Sequence, residues 1–130
     1  MDTRKLASSW ISAQKFGVGN TGYDSHSWAV SELIELAVDD PEKTWILIKE
    51  ILKLDDSDYI VKSVGAGPLE DLMVYHGKIF IERIQKEASM SDSFKNAMQN
   101  VWLDSDDTDL CVRFYEIAGI DQPFSGKRGR

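Results

Sequence analysis

Glu70 and Asp71, followed five residues later by His76, form the group of side chains in this sequence best suited to acid–base chemistry. Two carboxylates and an imidazole facing one cleft can relay a proton, and a small helical enzyme would need these three to converge. The spacing argues for plainer roles. Leu69, Leu72, Met73 and His76 fall at i, i+3, i+4 and i+7, one helical face, so His76 lies on an apolar stripe. Glu70 and Asp71 then occupy a first helical turn, where carboxylates meet the positive end of the helix dipole. A core or capping role is preferred for His76, and no catalytic residue is expected.

Two acidic loops come next: Asp55, Asp56 and Asp58, then Asp104, Asp106, Asp107 and Asp109. A calcium loop of the EF-hand type needs glycine at its sixth position and glutamate at its twelfth. Counted from Asp104, those positions hold Asp109 and Tyr115, so the pattern fails. No metal site and no cofactor are expected. Both loops, with Glu70 and Asp71, are candidate binding residues that would present negative charge to a basic partner, beside their ordinary work of capping and solvation.

Other chemistry-bearing motifs are weaker. Gly17-Val18-Gly19-Asn20-Thr21-Gly22 matches GxGxxG in letters, but it follows a helical pattern where dinucleotide binding needs a strand before it. It is expected to be a loop. Asp24, Ser25, His26 and Ser27 are neighbours in sequence, whereas catalytic triads arise by convergence in space. Ser25 or Ser27 is expected to cap the next helix. The single cysteine, Cys111, excludes an internal disulfide and flanks an apolar stripe.

The 130 residues are 42% hydrophobic, enough for one packed core. One helical domain over 1–124 is expected, followed by a flexible basic tail over 125–130. Net charge is −7, and about −10 once Lys127, Arg128 and Arg130 are set aside. Such a body repels nucleic acid and anionic membranes and attracts basic proteins. No apolar run suits a signal peptide or a bilayer span, so a cytoplasmic location is expected.

The elements that would position these groups are all helical. Asp2 or Thr3 caps a helix to about Phe16, with Leu6, Trp10 and Ala13 buried. A second runs to about Val38 with Val30, Leu33, Ile34 and Ala37 on its inner face and Trp28 packed onto the core. Asp40 and Pro41 open a third, to Leu54, apolar on two sides (Trp45, Ile48, Leu52; Leu47, Ile51, Leu54) and expected to be central. Tyr59, Ile60, Val61 and Val64 lead into Gly65, read as a stop, with Pro68 starting a helix that Gly77 ends. Lys78 to Ala88 follows, burying Phe80, Ile81 and Ile84. Ser91 or Asp92 caps a helix carrying Phe94, Ala97, Met98, Val101 and Trp102. The last buries Leu110, Phe114, Ile117 and Ala118 before Gly119 and Ile120, and Pro123 prevents simple continuation. Strand periodicity is absent. The expected fold is all-α: a compact stack of short antiparallel helix pairs, HEAT-like or an irregular bundle.

The run Gly67-Pro68-Leu69-Glu70-Asp71-Leu72 with His76-Gly77 resembles the signature of an uncharacterised family of small bacterial proteins. Pro41-Glu42-Lys43-Thr44-Trp45 upstream and the helix from Phe94 to Val101-Trp102 downstream extend the likeness over residues 28 to 103. The resemblance brings no activity with it. Small size, acidity and the lack of a catalytic set instead suggest a non-enzymatic protein-binding module, such as an immunity or inhibitor protein facing a toxin. An acidic nucleic-acid mimic of phage origin is the alternative, and an enzyme using Glu70, Asp71 and His76 a lesser one.

Overall fold

The computed structural model describes residues 2–17 and 21–120. Along them run α1 (Thr3–Phe16), α2 (Thr21–Asp39), α3 (Pro41–Leu54), α4 (Asp58–Val64), α5 (Glu70–Met90), α6 (Asp92–Met98) and α7 (Thr108–Ala118), with a π-helical turn, Gly65–Leu69, joining α4 to α5. No strand occurs among the described residues, and the helices pack compactly on one another. The expectations for Val18, Gly19, Asn20, Pro123 and the 125–130 tail lie outside the described residues.

Local chemistry sets most helix ends. The first N–H groups of a helix lack partners within it, and a short polar side chain just ahead supplies one. Asp2 accepts from the Arg4 N–H at 3.1 Å, Asp40 from Lys43 at 3.1 Å and Ser91 from Phe94 at 3.2 Å. Asp107 does the same for Leu110 at 3.1 Å, so one carboxylate of the second acidic loop is the cap of α7. At the other end Gly119 takes φ +80°, and the Ile120 N–H reaches back to the Tyr115 carbonyl at 3.3 Å, a Schellman closure.

α3 is the central rod. It touches α1, α2, α4, the π turn, α5 and α6. Thr44, Leu47, Ile48 and Ile51 are wholly buried, and the Thr44 hydroxyl is satisfied by the Asp40 carbonyl at 3.1 Å. Trp45 packs edge-on against Phe94 and tilted against Phe80, with centroids 5.5 and 5.8 Å apart. Each such ring pair adds about 0.5–1.5 kcal/mol beyond simple burial. α1 and α2 run antiparallel: the Phe16 ring stacks on His26, while Trp10 and Gln14 face Val30 and Ile34.

Several local expectations are corrected by packing. α2 begins at Thr21, so Ser25 and Ser27 lie inside it and not ahead of its first turn; the Ser27 hydroxyl donates to the Asp24 carbonyl. Trp28 and Ile34 are exposed, because α2 turns only Ala29, Leu33 and Ala37 fully inward. Gly65 is helical at φ −62°, ψ −47°, and the break falls at Gly67 (φ −120°, ψ −105°). A Cβ at Gly65 would overlap the Ala97 carbonyl of α6, so this glycine permits close helix approach and is no stop. α5 likewise continues past Gly77 to Met90, kinked at His76 (φ −139°, ψ 21°). Gly77 is buried with the Leu110 side chain against it. α6 ends at Met98, so Val101 and Trp102 follow it in a loop, where Val101 is buried and Trp102 exposed.

Candidate functional site

The sequence-predicted acidic residues divide among separate places. Asp55 accepts from Lys15 Nζ at 2.7 Å and from the Ser57 N–H at 3.0 Å; Lys15 first, then Ser57, hold its carboxyl down at about 2. Tyr59 donates to the Gln14 carbonyl at 2.8 Å, fixing this loop to the C-terminal end of α1. Asp56 and Asp58 are exposed beside it.

The second loop is anchored elsewhere. Asp107 lies 3.4 Å from Lys78 Nζ of α5. His76, nearby on α5, places Nε2 3.0 Å from the Val38 carbonyl in the last turn of α2. His76 therefore caps the C-terminal end of a helix other than its own. Because α1 and α2 are antiparallel, these two anchor points sit toward opposite ends of that hairpin. The intervening turns of α2, from the level of Trp28 to Val38, span about 15 Å at 1.5 Å per residue.

Glu70, Asp71 and His76 do not converge. Glu70 accepts the Trp102 N–H at 2.8 Å, across thirty-two positions of sequence, and so pins the loop after α6. Asp71 lines a cleft of about 390 Å³ between α1, α2, α4 and the π turn, with Trp10, Gln14, Val30 and Ile34 among its walls. Burial raises the Asp71 carboxyl above the usual carboxylate range. Cys111 is buried, and desolvation pushes its thiol up, away from nucleophilic character. Among the described residues no group of three or more His, Cys, Asp and Glu is placed to hold a metal ion, and no helix is long and apolar enough to cross a membrane.

The feature missed by sequence reasoning is apolar. Val74, Tyr75 and Ile79 of α5 are 60%, 56% and 66% exposed. They line a hollow of about 380 Å³ together with His76, Lys78, Leu110, Ser105 and Asp107. The kink at His76 and the second acidic loop thus frame one surface that joins large apolar groups to carboxylates. A signal for it was present: Val74 and Tyr75 stand off the Leu69–Leu72–Met73–His76 stripe, and apolar side chains off the inward face of a helix need another explanation.

No curated protein and no solved structure matches the chain. Residues 18–119 match DUF6869, described as a family of unknown function, and the chain belongs to that family.

Proposed function

We propose that this chain is a non-enzymatic protein-binding module, a small acidic bacterial immunity or inhibitor protein of the cytoplasm that occupies a basic partner such as a toxin. The observation that carries the reading is the placement of Val74, Tyr75 and Ile79 beside the loop bearing Asp104, Asp106, Asp107 and Asp109. An exposed apolar patch rimmed by charge is the usual form of a docking surface. The apolar side chains would supply the buried contact and the carboxylates the steering, since opposite charge speeds encounter. The net charge of −7 acts in the same direction at longer range. Asp107 caps α7 and pairs with Lys78, so it is kept, and Asp104, Asp106 and Asp109 of the same loop are varied.

The test is affinity capture from the native host with the tagged chain, beside a variant carrying Asp104→Asn, Asp106→Asn and Asp109→Asn and a second carrying Tyr75→Ala. The expected result is a basic protein retained by the native chain, released by salt, and lost from both variants. Capture that is indifferent to all these changes, or no specific partner at all, would refute the proposal.

A further inference from the structure

The cleft that contains Asp71 is separate from the hollow around His76 and has a chemistry of its own. Its volume, about 390 Å³, falls within the range of small-molecule sites. Trp10, Val30 and Ile34 give it apolar walls, the backbone of Ala66, Gly67 and Pro68 forms an edge, and Ser63 and Gln14 add polar groups. There is room beside Gly67, where a Cβ would come no nearer than 3.9 Å to the Trp10 ring.

Asp71 is the charged group on this wall. It is half-buried, and burial is the cause acting on its carboxyl, with no cation placed against it among the described residues. A carboxylate withdrawn from water without a counter-charge is costly, and the cost falls when a cation arrives. Glu42 and Asp55, whose carboxyls are held down, each have a cation beside them: Arg83 at 2.7 Å and Lys15 at 2.7 Å. Asp71 differs from them in facing an apolar cleft.

We infer that the cleft between α1, α2 and the π turn binds a small organic amine, with its ammonium against the Asp71 carboxylate and its apolar frame against Trp10, Val30 and Ile34. Selectivity comes from the two halves together. A metal ion would leave the apolar walls uncovered, and a neutral hydrocarbon would leave the carboxylate unpaired.

The experiment is titration of the full chain with phenethylammonium, n-butylammonium and agmatine, read by the Trp10 indole and Gly67 amide NMR signals. The neutral isostere 2-phenylethanol is the comparison ligand. Saturable shifts at millimolar or lower concentration are expected for at least one amine, with 2-phenylethanol about tenfold weaker than phenethylammonium if the latter binds. Asp71→Asn, which keeps the side-chain shape, should weaken amine binding by about tenfold. Asp56→Asn, with the same change in net charge on an exposed loop, should leave it unchanged. No saturable shift from any of the three amines would overturn the inference, as would equal losses in the Asp71 and Asp56 variants. Because the readout needs no protein partner, its failure is distinct from failure of the docking reading.

Discussion

The phenol oxygen of Tyr115 accepts the backbone N–H of Leu103 at 2.8 Å and donates its own proton to the Val101 carbonyl at 2.7 Å. One buried hydroxyl of α7 thereby satisfies two backbone groups of the loop that leaves α6. Buried polar groups left without partners each cost about 1–3 kcal/mol. Tyr115→Phe should therefore lower unfolding stability by about 1–3 kcal/mol in a urea titration, with helix content retained. A change below about 0.5 kcal/mol would mean that these backbone groups do not depend on the hydroxyl.

Gly65 and Gly77 should respond differently to alanine. A methyl at Gly65 meets the Ala97 carbonyl, part of a helix backbone that cannot yield locally. Gly65→Ala should cost about 2–3 kcal/mol through overpacking, measured as a shift in the urea midpoint. A methyl at Gly77 meets Leu110 Cδ2 at 2.9 Å and Met73 Cε at 3.0 Å, both ends of flexible side chains. Relief of the glycine penalty in a helix, about 1 kcal/mol, offsets that crowding, so Gly77→Ala should change stability by less than about 1 kcal/mol.

The Lys15–Asp55 pair sets a pH dependence. Lys15 and Ser57 lower the Asp55 carboxyl from 3.8 to about 2 on folding. The folded state then binds this proton less tightly than the unfolded state, so the contribution is complete above the unfolded value and fades as pH falls toward 2. The Lys15 side chain is exposed, and solvent screening there limits the pair's worth to about 0.5–1 kcal/mol. Asp55→Asn should lose that amount at pH 7 and nothing near pH 2, read from paired denaturation curves. Equal losses at both values would show that charge is not the cause.

Tyr75→Ala and Ile79→Ala should each leave stability within about 0.5 kcal/mol, because both side chains are mainly in water. The same changes should weaken binding of a captured partner at least tenfold, as removal of an interface anchor does, by calorimetric titration. Substantial unfolding in either variant would show that these side chains support the fold instead of offering a surface.

Asp2, Asp40, Ser91 and Gly119 show what the sequence by itself determined: the helical class, several helix ends and the identity of α3 as the rod within the core. Those features are decided by groups three or four residues apart, and by an apolar pattern that repeats along one helix, so neighbours in sequence suffice. Tertiary structure alone decided that Gly65 admits Ala97, that Glu70 holds Trp102, that His76 caps α2 and that Val74, Tyr75 and Ile79 stand beside Asp107. Each joins segments some thirty residues apart, and the meeting depends on which helical faces pack and at what angle, a choice made by the whole core at once and by no single segment.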